Sequence, residues 1–155
     1  MKTIIIGTAL CIAMAACQPR LAPSKTPVAN TEKVRYDTVK NLLGHCSPAM
    51  LQQLPYSQWF STNYAAYQPH PATIAALAPQ MRQLRVEIFL GTWCGDSKRE
   101  VPRMLKILAQ AGMDSNAISL IFVDNLAETY KQSPQHEEQG KHIFRVPTFL
   151  VYRHQ

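Results

Sequence analysis

No Cys-x-x-Cys pair occurs anywhere in the 155 residues, so neither the common zinc spacing nor a dithiol redox motif is available to this chain. The histidines are equally unhelpful as ligands: His45 adjoins Cys46, while His70, His136 and His142 stand apart at no metal-binding spacing. There is no glycine-rich phosphate loop, no Ser-His-Asp order and no legible catalytic carboxylate pair. Nothing in the sequence calls for a metal or a cofactor. Lys and Arg number 16 against 10 Asp and Glu. Yet Lys25, Lys33, Arg35, Lys40, Lys98, Arg99, Arg103 and Lys106 are scattered among apolar positions, which reads as solvated surface loosely attracted to anionic lipid rather than a nucleic-acid footprint. No apolar run approaches the roughly 20 residues that a bilayer span requires.

What is present begins at the N-terminus. Met1-Lys2 precedes an apolar stretch over 3–14 that ends in Ala15-Ala16-Cys17, the charged start, short apolar middle and small residues of a secretory signal. Met14-Ala15-Ala16-Cys17 resembles a lipobox, with Met14 where leucine is commoner. Residues 1–16 are thus expected to be a lipoprotein-type signal, with Cys17 as the lipid attachment point and membrane anchoring through several acyl chains. The alternative is an ordinary signal cut near Ala16, with Cys17 incidental. Residues 17–32, rich in Pro, Ala, Ser, Lys and Thr without periodicity, read as a flexible tether.

Residues 33–84 read as a helical extension. Val39, Leu42 and Leu43, then Met50, Leu51 and Leu54, suggest two short helices, with Gly44 as a C-cap and Ser47-Pro48 opening the second. Tyr56, Trp59, Phe60, Tyr64 and Tyr67 predict a helical hairpin packed on a core, and residues 74–84 a helix interrupted at Pro79. Then Val86 to Leu90 is a β-prone run, followed by Gly91-Thr92-Trp93-Cys94 and by Val101, Met104, Leu105 and Leu108 at helical spacing, up to Gly112. Residues 118–123 predict a buried strand parallel to the first, 128–141 a polar loop with a short helix ending near Gly140, and 148–152 a last strand.

A strand that ends in a turn and delivers a cysteine to a helix N-terminus places sulfur among unpaired N–H groups and the positive end of the helix dipole, which favours the thiolate. Asp96 opposes this, and Lys98 and Arg99 partly offset it. The segment Trp93-Cys94-Gly95-Asp96-Ser97, with Pro102 following and Val146-Pro147-Thr148 downstream, resembles the active-site stretch and cis-proline loop of the thioredoxin superfamily. It is most similar to cell-envelope lipoprotein-type members of Gram-negative bacteria. The resemblance covers 85–155 and implies an α/β, thioredoxin-like three-layer fold preceded by the helical extension. The family fold continues through a further strand and helix, so the resemblance also implies a C-terminally incomplete domain.

By the same resemblance, Cys94 attacks a protein or small-molecule disulfide, while Trp93, Val146 and Pro147 form the substrate-binding surround. The resemblance and the lipobox-like segment together imply a protein that faces the periplasm, anchored by lipid. The departure from the family is Ser97, which stands where the second cysteine belongs. A serine there supplies a hydrogen bond to the Cys94 thiolate but no resolving thiol, which suits isomerase-like or mixed-disulfide chemistry. Cys46 is the one candidate for an internal resolving thiol, and its alternative is a small buried apolar residue. The rival for the whole site is a non-catalytic binding or scaffold module with the same fold.

Overall fold

The computed structural model describes residues 31–34 and 40–153. The expected signal, Cys17 and most of the tether lie outside these residues. The described chain is a mixed α/β structure. Its strands are β1 (Thr31–Val34), β2 (Lys40–Cys46), β3 (Leu84–Leu90), β4 (Ile118–Phe122) and β5 (Thr148–Arg153), and its helices are α1 (Ser57–Ala66), α2 (Pro71–Leu77) and α3 (Gly95–Gln110). Sheet order is β1-β2-β4-β3-β5. β3 and β4 run parallel, as their continuous apolar runs predict, and the other pairings are antiparallel.

The extension is not wholly helical. Residues Thr31 and Glu32, assigned to the tether, pair in β1, and Lys40–Cys46 forms a strand where a helix was expected. Leu42 and Leu43 are both buried, which a helix achieves with one face and a strand achieves when both its faces are covered. Gly44 is no C-cap. Its φ of +72° falls where β2 changes partner, since residues 40–43 pair with β1 and 44–46 with β4. Ser47-Pro48 does open a helical turn, but as a short 3-10 segment, Pro48–Gln52.

From residue 57 to residue 122 the order of helices and strands follows the sequence reading. Tyr56 at the N-cap of α1 and Phe60 within it turn inward, and α2 gives way to a 3-10 turn, Ala78–Gln83, at Pro79. α3 buries Val101, Leu105 and Leu108 and runs through Pro102. It stops at Gly112, φ +80°, where Met113 N–H donates to Leu108 and Gly112 N–H to Ala109, a Schellman closure. The short helix expected before Gly140 is absent. His136 at φ +57° breaks the run into single turns, His136 N–H to Ser133 and Gln139 N–H to His136.

Strand alternation divides the core in two. Val86, Ile88 and Leu90 of β3, Leu120 and Phe122 of β4, and Leu42 and Cys46 of β2 meet α1 and α3 on one face. On the other, Phe89, Ile121, Val123 and Val146 gather Trp93, Cys94, Ile143 and Leu150 around them. That second face is covered by the irregular chain between β4 and β5 rather than by a helix.

Candidate active site

Cys94 is the N-cap residue of α3, half-buried, with extended backbone. Its carbonyl accepts the first bond of the helix from Lys98 N–H at 3.0 Å, and its N–H closes the preceding turn onto Gly91 at 3.0 Å. The Val146–Pro147 peptide is cis. Across that loop, Cys94 Sγ donates to the Val146 carbonyl at 3.3 Å. Thus the residues singled out at 93–94 and at 146–147, far apart in sequence, converge at one end of the sheet.

Three contacts hold the turn that carries the sulfur. Trp93 Nε1–H donates to the Val123 carbonyl at 2.9 Å, and its indole folds over Gly91 and packs against Tyr130 at 5.9 Å between ring centroids. Trp93 is therefore fixed by both its polar and its apolar parts. Thr92 is buried and donates to Asn41 on β2. Ser97 is fully buried, and its Oγ accepts from Gly91 N–H at 3.3 Å. Among the described residues no hydrogen bond joins Ser97 to Cys94, so the expected bond to sulfur is replaced by one that braces the turn from below.

Cys46 does not approach the site. It is buried and lies opposite Leu120, on the face packed by helices, whereas Cys94 belongs to the cluster on the other face. A disulfide requires Cα atoms within about 7 Å and converging Cβ vectors, which two faces of one sheet do not provide. Of the two readings of Cys46, the small buried apolar residue is the one that describes its surroundings, and a resolving thiol is not.

Charges near the thiol are largely paired. Asp96 is exposed and meets Arg99 at 2.8 Å, and Arg99 also meets Glu100. Glu87, on the same sheet face as Phe89, receives Arg85 Nη1 at 2.6 Å, Lys141 Nζ at 2.7 Å and the Tyr152 hydroxyl at 3.0 Å. Burial pushes the Glu87 carboxyl up, but these three donors outweigh it and hold the group below its ordinary range. The Lys141 pair clamps the covering chain to β3.

Two aromatic side chains stand out on this side. Tyr130 is 52% exposed and Phe144 75%, and Lys131 connects them, with its ammonium 4.7 Å from the Tyr130 ring and donating to the Phe144 carbonyl. Sequence reasoning missed Asn41, Thr92, Tyr130 and Glu87. Thr92 was findable as the neighbour of Trp93; Asn41 becomes conspicuous only once its segment is known to be a buried strand.

Among the described residues no three His, Cys, Asp or Glu side chains converge as a metal site, and no helix is long and apolar enough to cross a membrane. Compared with protein-family models, with curated proteins and with solved structures, the chain gives no significant match in any of the three.

Proposed function

We propose that the chain is a thioredoxin-like thiol–disulfide exchange protein of the cell envelope, tethered to the membrane through Cys17 and reacting through Cys94 alone. The observation that carries this reading is the meeting of an N-cap cysteine with a cis-proline loop, Sγ lying 3.3 Å from the Val146 carbonyl. The sulfur stands at the open end of α3, and the loop carbonyl lies where an extended substrate backbone can pair beside it.

In the proposed step the Cys94 thiolate attacks one sulfur of a substrate disulfide. A Cys94–substrate disulfide forms, the substrate S–S bond breaks, and the departing thiolate takes up a proton. With Ser97 in the second position and Cys46 on the other face, release falls to a thiol from outside or to a second thiol of the substrate. Either regenerates Cys94 and transfers the disulfide without net electron gain. Tyr130 and Phe144 offer apolar contact to a polypeptide substrate near the thiol.

A second reading, a non-catalytic binding module of the same fold, draws on the Cys94 thiol hydrogen being directed to Val146 and on the missing second thiol. One experiment separates the two. The full chain, purified in detergent, is incubated with a disulfide-containing peptide and analysed by intact mass and peptide mapping. The expected result is an adduct on Cys94, absent from Cys94→Ala, persisting until a small thiol is added and short-lived in Ser97→Cys. Peptide binding without any adduct selects the binding module.

A further inference from the structure

One buried amide links the N-terminal strand to the turn that carries the sulfur. Asn41 is 2% exposed and Thr92 5%. Thr92 Oγ1 donates to Asn41 Oδ1 at 3.1 Å across 51 positions of sequence, and Asn41 Nδ2 reaches Asn125 Oδ1 at 3.4 Å across 84. The far end of this bridge is itself fixed. Asp124 Oδ1 accepts from the N–H groups of Asn125 and Leu126, and its Oδ2 accepts from the Thr129 hydroxyl.

An amide and a hydroxyl withdrawn from water lose hydration, and their mutual bond does little more than restore it. An apolar pair of the same shape is often as stable, so cohesion alone does not account for this bridge. Its location does. Thr92 lies two residues before Cys94, between Gly91, whose N–H is bonded to Ser97, and Trp93, whose indole is bonded to Val123. The Asn41 bridge fixes the remaining residue of the turn.

We propose that Asn41 is a positioning residue for Cys94, acting through the Thr92 hydroxyl, and that β2 is therefore part of the thiol site. This rests on Cys94 being the exchanging thiol. In-line attack on a disulfide is sensitive to sulfur placement, and a displacement of about 1 Å costs as much as about 100-fold in rate.

The test is the rate of Cys94 exchange with a disulfide-containing peptide as a function of pH, mapped by peptide mass spectrometry on the full chain in detergent, alongside thermal melting. Thr92→Val keeps the shape and removes the donor; Thr92→Ser keeps the donor; Asn41→Leu removes the acceptor. The bridge predicts that Thr92→Val and Asn41→Leu slow Cys94 about ten-fold and alter its pH profile, while Thr92→Ser stays within about two-fold of the parent. If Asn41→Leu does not fold, the Thr92 pair decides. A parent chain whose Cys94 reacts faster than in urea, with Thr92→Val equally fast and only its melting point changed, overturns the positioning role alone. A parent Cys94 no faster than the same cysteine in urea overturns the exchange reading and the positioning role with it.

Discussion

Gly91 lies directly beneath the indole of Trp93: a Cβ on Gly91 would stand 2.5 Å from both Cε2 and Nε1 of that ring. The glycine is required here by close approach, since its φ is not in the left-handed region. Gly91→Ala is therefore expected to push the indole off the Val123 carbonyl and destabilise the fold by about 1–3 kcal/mol, the range for overpacking a tight site. Urea unfolding in a Trp59→Phe background reads the stability, and Trp93 emission in the same samples reads the displaced ring. Unchanged midpoint and emission would refute the contact.

Acid is expected to weaken the cover over the second sheet face. Glu87 and Glu138 both titrate below their ordinary value of 4.5. For Glu138, burial pushes the carboxyl up, but the hydroxyl and N–H of Ser133 and then His136 outweigh it. A carboxyl whose folded value is lowered contributes stability above its unfolded value, and that contribution disappears as pH falls through the lower folded value. Melting temperature should accordingly fall below about pH 4.5, and Glu87→Gln should be less stable at neutral pH and less sensitive to acid. A Glu87→Gln protein with the parent's full acid dependence would show that this carboxylate is not among the responsible groups.

Membrane attachment is tested outside the described residues. Expressed in a Gram-negative host, the parent chain should incorporate labelled palmitate and sediment with membranes. Cys17→Ala should do neither, and Cys46→Ala should behave as the parent. Label retained in Cys17→Ala would remove the anchor.

The elements best read from sequence were those with a local physical signature. Cys94 follows a β-prone run and precedes an amphipathic helix, Gly112 ends that helix with positive φ, and Val146-Pro147 sits just ahead of an apolar strand. What failed was local ambiguity. Val39, Leu42 and Leu43 satisfy helical spacing, and nothing nearby reveals that Gly44–Cys46 pairs with Leu120–Phe122, a contact that exists only once the sheet is assembled. The same long-range pairing puts Asn41 beside Thr92. Ser97 was expected to donate to the Cys94 sulfur, whereas its partner is Gly91 N–H, a contact that depends on how the turn folds back over the helix, which spacing does not encode.

Because β2 joins the sheet along β4, its docking closes one of the longest loops in the molecule, and loop closure of that kind is slow compared with helix formation or neighbouring turns. A chain emerging residue by residue has synthesised β2 long before β4 exists to receive it. Until β4 arrives, the turn that carries Cys94 has only the bond between Gly91 and Ser97 for support, because its Trp93 anchor and the strand that brings its amide brace both depend on residues made later.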